Sequence, residues 1–317
     1  MELANLIGTI GPLEVRGGAT GQITALTYDA AAAVPGALHF CVPGFRADGH
    51  DFAGLAAERG ASALVVERFL DIDLPQLRVR SSRAAMGPAA DTFYGHPSHE
   101  LDVIGVTGTN GKTTTCFLMY SVLEAAGLRP ALLGTVESRI GGQVAEVKRT
   151  TPESIDLQAQ FRQMVDAGDQ SCAMEVSSHA LALDRVAGTR FAAAAFTNLT
   201  QDHLDFHPTM EEYYLAKRRL MGGVARRLAD RAIVTNDNPR SEDPVAIAAE
   251  IMNGIEMEVE LDRRRAIELA VAAARPGDIV VIAGKGHEQG QQFADHTVPF
   301  DDRTAALEAL EQLGQTA

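Results

Sequence analysis

Basic charge is in short supply: 28 Lys plus Arg face 42 Asp plus Glu, a formal net charge of −14. A field of that sign repels phosphate backbones and anionic surfaces, which argues against a general nucleic-acid binder. No apolar run reaches the roughly 18 residues needed to span a bilayer. The opening residues, MELANLIGTIGPLEV, lack the basic region, apolar stretch and cleavage site of a secretory signal. Cysteine is scarce and odd in number, and Cys41, Cys116 and Cys172 do not fall at metal-like spacing. Internal repeats and low-complexity tracts are missing too. These absences point to a reduced, cytoplasmic setting with neither nucleic acid nor membrane as partner.

What is present is ordinary globular material. At 317 residues, 46% hydrophobic and 22% charged, the chain has enough apolar mass for two or three domains with real cores. Short apolar runs alternate with helix-length segments. ALHFCV (37 to 42), a helical stretch from Asp51 to Arg59 and SALVV (62 to 66) form an α/β module. GHPSHE (95 to 100) gathers Gly, Pro and Ser before the apolar run DVIGV, which reads as a boundary near residue 98. Strands are expected at 102 to 106, 131 to 136, 171 to 176 and 191 to 196, with helices at 113 to 126 and 155 to 167. That order implies βαβ units and a mainly parallel sheet. A last block repeats the pattern with RAIVT (231 to 235), helices after Pro244 and Asp262, and DIVVIAG (278 to 284).

The run from Asp102 to Thr115, DVIGVTGTNGKTTT, leads an apolar strand into a Gly-rich loop that ends in Lys-Thr before a helix. Such a loop turns backbone N–H groups of Gly108, Thr109, Asn110 and Gly111 toward phosphate oxygens, and the helix start adds partial positive charge. Lys112 would reach the outer phosphates, the Thr113 hydroxyl would ligate Mg²⁺, and Thr114 completes the motif. Val106 stands where the strict motif has its first Gly, so the loop is a variant. No Asn-Lys-x-Asp guanine signature is found, which favours ATP over GTP.

Downstream, SCAMEVSSHA puts Glu175 and Ser177 at a strand's carboxyl end, the edge where open α/β sheets bind ligands. FTNLTQDHLDFH crowds Asp202, His203, Asp205 and His207 into a short loop, a pattern shared by metal ligands and by plain turn chemistry. Lys217, in MEEYYLAKRRL, would by itself be read as part of a charged solvent face.

Taken together, GVTGTNGKTTT, TTPES (150 to 154), MEVSSHALALDRV and FTNLTQDHLDFHPTMEEYYLAKRRL resemble the Mur ligase family of ATP-dependent amide-forming enzymes in peptidoglycan assembly. TNDNPRSEDP (235 to 244) and AGKGHEQGQ (283 to 291) look like the branch that extends UDP-N-acetylmuramoyl-L-alanyl-D-glutamate, and the DNPR form implies meso-diaminopimelate as the incoming amino acid. The fold implied is α/β: a UDP-sugar-binding amino-terminal module (1–97), a truncated P-loop parallel-sheet ATPase domain (98–221) and a partial Rossmann-like carboxyl-terminal block (222–317). By the same resemblance, Glu175 and His203 join Thr113 around Mg²⁺, and Lys217 is the lysine that the family carbamylates. Lys112, Glu175, His203 and Lys217 form the implied catalytic set. Thr150, Thr151, Ser177 and Arg185 would hold the UDP-sugar-peptide; Asp237, Asn238, Arg240, Gly284 and Glu288 would hold diaminopimelate. A guanidinium on a carboxylate and a Glu on an ammonium suit a zwitterion.

Two features depart from the family pattern. Ala30 and Ala31 follow Asp29 where the family usually has Ser-Arg, which removes hydrogen bonds expected to orient the uridine diphosphate. KRRLM (217 to 221) leads almost directly to TNDNPR, whereas relatives carry between such blocks a DYAH-type segment and a Gly-rich loop before KRPLM. An internal stretch is therefore missing; either the final block docks onto the shortened sheet, for instance with RAIVT pairing at its edge, or the chain is unstable, and docking is the expectation. A non-catalytic nucleotide or UDP-sugar binding protein is the alternative reading. A folylpolyglutamate synthetase is disfavoured by DNPR and GKGHE.

Overall fold

A computed structural model describes residues 1–45, 47–197, 231–239, 243–252, 257–275 and 289–315, with residues 209, 217, 220, 280 and 282. The chain forms two compact units, Met1–Lys217 and Arg218–Ala317.

The first unit contains two sheets. Its opening helix, α1 (Leu3–Ile10), turns Leu3, Leu6 and Ile10 inward at helical spacing. Then come β1 (Glu14–Arg16), β2 (Ala25–Thr27), β3 (Ala37–Phe40), α2 (Ala53–Glu58), β4 (Ala63–Val66), β5 (Gln76–Arg78) and α3 (Ser82–Phe93). β2, β3, β4 and β5 are parallel neighbours, and β1 closes the β5 edge antiparallel. Every residue of ALHF in β3 and ALVV in β4 is buried, as a parallel strand covered on both faces requires. Leu38, Phe40, Val65 and Leu77 meet Leu3, Leu6, Met86 and Ala89 in this core. The Ser81 hydroxyl accepts the Ala84 N–H at 3.2 Å and sets the start of α3. Ala30–Ala32 form a 3₁₀ turn whose Ala31 N–H donates to Asp29 Oδ1 at 2.9 Å.

The second sheet is built from β6 (Asp102–Thr107), α4 (Lys112–Ala125), β7 (Pro130–Leu133), β8 (Ser138–Ile140), β9 (Gln143–Ala145), α5 (Ser154–Ala167), β10 (Ser171–Glu175), α6 (Ser178–Ala182) and β11 (Ala193–Phe196). Its order is β11-β6-β10-β7-β8-β9, with the first four strands parallel. The expected strand at 131 to 136 stops at Leu133, and the chain then forms the β8–β9 hairpin, which alternation alone did not signal. Val106, Cys116, Leu132, Ala173 and Tyr120 form the core between α4 and this sheet. All three cysteines are free and buried.

In the second unit, β12 (Ile233–Val234), α7 (Pro244–Met252) and β13 (Glu258–Val259) form a parallel βαβ turn. α8 (Arg263–Ala273), the antiparallel pair β14 (Gly290–Gln292) and β15 (Thr297–Pro299), and α9 (Asp302–Gln315) follow. Among the described residues, the RAIVT strand β12 lies in a two-stranded sheet with β13. A crossover helix of its own supplies β12 with a parallel neighbour, β13. Ile267 and Val271 pack against Ala305 and Ala309, and the buried Arg263 guanidinium grips Asp302 through two bonds of 2.7 and 2.6 Å. DIVVIAG lies largely outside the described residues. No described helix is long and apolar enough to cross a membrane.

Candidate active site

Because β11, β6, β10 and β7 are parallel, their carboxyl ends open on one edge. The connections leaving that edge carry several of the candidate residues. β6 runs into Gly108, and Gly111 caps α4 at φ 82, a left-handed turn that a side chain resists. Gly111 offers no side chain to the first-turn N–H groups of α4, which have no acceptor within the helix. That end is therefore built to receive an anion. The Thr197 hydroxyl donates to Asn110 O at 2.6 Å and holds the loop against β11. Lys112 lies over the loop and donates from Nζ to Gly108 O and Thr109 O at 2.9 and 2.8 Å.

Glu175 ends β10, where it is 1% exposed. Its Oε1 accepts the Thr113 hydroxyl at 2.9 Å and the Thr135 N–H at 2.7 Å, and its Oε2 accepts the Thr135 hydroxyl at 3.2 Å. The carboxylate is thus fixed between the start of α4 and the end of β7. Thr151 sits against the next turn: its hydroxyl donates to Glu175 O at 2.9 Å and accepts the Ser177 N–H at 3.1 Å. Ser177 in turn caps α6 by accepting the Ala180 N–H at 3.2 Å.

Beside this row stands a charged cluster of which the sequence reasoning named only Arg185. The buried Glu153 carboxylate is bracketed by Arg83 at 2.9 Å, Arg149 at 2.8 Å and Arg185 at 3.0 Å. One carboxylate against three guanidiniums leaves an excess of positive charge. Burial lowers the Arg185 pKa from its ordinary value, partly opposed by Glu153. Arg185 also reaches Thr151 O at 3.4 Å.

A cavity of about 520 Å³ opens between these groups. It is lined by Gly108, Thr109, Asn110, Gly111, Lys112, Thr113, Glu175 and Lys217, and also by Thr150, Thr151, Ser177 and Arg185. Its size suits a small ligand or cofactor. Lys217 is 1% exposed, so the solvent-face reading of that residue is wrong. Thr114 is exposed on the first turn of α4. Thr135, Arg149, Ser178 and His179 also line the cavity. The rule that ligands gather at strand carboxyl ends could have found Thr135, which follows β7, the neighbour of β10.

Asp237 and Asn238 lie in the second unit, between β12 and α7, where Asn238 Oδ1 accepts the Gln292 N–H at 2.9 Å. His203, with Asp202, Asp205 and His207, lies outside the described residues, as do Arg240, Gly284 and Glu288.

Comparison with known proteins adds sequence relatives and a shared architecture. Residues 106–266 match the Mur ligase middle domain, and residues 22–94 match the Mur ligase family, catalytic domain. The UDP-N-acetylmuramoyl-L-alanyl-D-glutamate--2,6-diaminopimelate ligase of Geobacillus thermodenitrificans is 48% identical over 246 residues, 76% of this chain and 50% of that protein. The protein of the same name from Bacillus cereus is 30% identical along 483 aligned positions that take in 98% of each chain. An alignment that long over 317 residues is heavily gapped. Against the first of these relatives, the chain spans about half their length. A solved structure of a UDP-N-acetylmuramoyl-L-alanyl-D-glutamate--2,6-diaminopimelate ligase shares the fold at a TM-score of 0.60 and 19% identity, covering 99% of this chain and 100% of that one.

Proposed function

The chain belongs to the Mur ligase family, and on that premise we propose that it forms an amide bond at the expense of ATP, adding meso-diaminopimelate to UDP-N-acetylmuramoyl-L-alanyl-D-glutamate in peptidoglycan biosynthesis. The observation that carries this reading is the convergence of the Gly108–Thr113 loop, Glu175 and the Thr150, Thr151, Ser177 and Arg185 row on one cavity. In this reading residues 1–97 and 98–221 hold the UDP-sugar and ATP, and residues 222–317 hold the amino acid through Asp237, Asn238, Arg240, Gly284 and Glu288.

The residues fit the groups they would hold. Backbone N–H groups at the start of α4 and the Lys112 ammonium match a triphosphate. The donors beside them are oxygens, the Thr113 hydroxyl and the Glu175 carboxylate, which suit Mg²⁺. His203 and a carbamylated Lys217 would complete that set; the carbamate replaces a buried cation with an anion able to ligate. When bound, Mg²⁺ offsets phosphate charge.

Lys112 stabilises charge on the outer phosphates as the substrate's D-glutamate carboxylate attacks the γ-phosphate, giving an acyl phosphate and ADP. The diaminopimelate amine then displaces phosphate through a tetrahedral intermediate. Arg149 and Arg185 lie where the excess positive charge beside Glu153 can receive the anionic substrate, and Thr151 and Ser177 orient it.

The test is phosphate release by the full chain. Release that requires both UDP-muramoyl-dipeptide and meso-diaminopimelate is expected. Binding of ATP without any such release would leave a nucleotide-binding protein and reject the ligase.

A further inference from the structure

The turn joining α3 to β6 holds a cluster that ligation does not use. Asp91, in the last turn of α3, and His96 and His99 beyond it present a carboxylate oxygen and one nitrogen of each imidazole within 4.8 Å of one another. Backbone bonds fix their spacing: the His96 N–H donates to Asp91 O at 2.8 Å, and the His99 N–H donates to His96 O at 2.9 Å. His96 stands at φ 56, a left-handed conformation that is costly for any residue with a Cβ. In that conformation its Nδ1 lies 2.7 Å from Asp91 Oδ2.

The other Asp91 oxygen, Oδ1, is buried and has no hydrogen-bond partner. An enclosed carboxylate oxygen without a donor is unfavourable, and a bound cation would relieve it. Two imidazoles and a carboxylate suit a zinc-class ion, with a fourth position left for water. They suit Mg²⁺ poorly, because it keeps to oxygen donors. Tetrahedral bonds of about 2.0–2.1 Å place donor atoms roughly 3.3 Å apart. Both imidazoles are exposed, so rotation of the rings can close that gap.

We propose that Asp91, His96 and His99 form a binding site for a divalent transition-metal ion of the zinc class. Such an ion ties the end of α3 to the turn that enters β6. That turn is already anchored where the Ser98 hydroxyl accepts the Arg190 N–H at 3.0 Å.

Zinc binding to the chelator-stripped full chain, measured by calorimetry in excess Mg²⁺, tests the assignment, and Co²⁺ absorption reports the ligand geometry. The comparison is with a His96→Asn, His99→Ala double variant, chosen because Asn tolerates the left-handed backbone. The wild-type chain is expected to bind one more equivalent of Zn²⁺ than the variant, with tetrahedral Co²⁺ bands that the variant lacks. Circular dichroism confirms that the variant folds; if it does not, Asp91→Asn serves instead, and its affinity is expected to fall at least as far as the ~10–100-fold that loss of a supporting hydrogen bond alone produces. Equal Zn²⁺ stoichiometry and affinity in wild type and variant, or no Zn²⁺ bound by the wild type, overturns the proposal.

Discussion

Glu175 owes its place to two kinds of neighbour. Burial in β10 fixes its backbone, while Thr113 and Thr135 occupy its oxygens from the starts of two other connections. The carboxylate was legible in the sequence, because an acidic residue closing an apolar run stands out. Thr135 was not: no run of residue types separates a threonine that receives a carboxylate from one in a plain turn. Glu153 escaped for a similar reason, since Arg83 on α3 and Arg185 are distant from it in sequence and only Arg149, four residues away, is a local partner.

His39 makes the same point and carries a prediction. It lies on β3 between Thr27 and Leu64, is 1% exposed, and has no hydrogen-bond partner for either ring nitrogen. Burial pushes its pKa down from 6.5 to about 4; Asp29 opposes the shift and His50 adds to it. The unfolded chain therefore takes up this proton first as pH falls. The stability held by the neutral ring is intact above pH 6.5 and is lost down to about pH 4, a total of about 3 kcal/mol. Denaturant unfolding of His39→Leu should show a pH dependence shallower by that amount across this window. Parallel profiles for wild type and variant would show that His39 takes up its proton at the same pH in the folded and the unfolded chain, against the shift that burial imposes.

At the scale of elements, the parallel pairing and the positions of β3, β4 and β10 were readable because buried strands are nearly continuous apolar runs. The β8–β9 hairpin was hidden, since its outer strand, Gln143–Ala145, is exposed throughout and has no burial pattern to betray it. Close backbone approach was equally invisible. A Cβ on Gly87, inside α3, would sit 2.3 Å from Ala187 O, where α3 meets the loop after α6. Gly8, in α1, has nothing within 4 Å. Thermal unfolding should therefore separate two chemically identical substitutions. Gly87→Ala is expected to destabilise by ~1–3 kcal/mol through overpacking, and Gly8→Ala to stabilise by ~0.5–1 kcal/mol through helix propensity. Equal effects at the two positions would mean that α3 is not in contact with that loop.

For the whole molecule, the central claim is that the end of β6 and the start of α4 hold a magnesium nucleotide. A chain that spans about half the length of its first relatives has the strand, loop, helix start and carboxylate that this binding needs within one unit, Met1–Lys217. Calorimetric titration of the folded full chain with Mg·ATP addresses this most directly, alongside Lys112→Ala. Saturable heat from the wild type is predicted, with affinity reduced ~10–100-fold in the variant by loss of a charged hydrogen bond. No heat from a folded wild-type sample, or equal affinity in the variant, would contradict it.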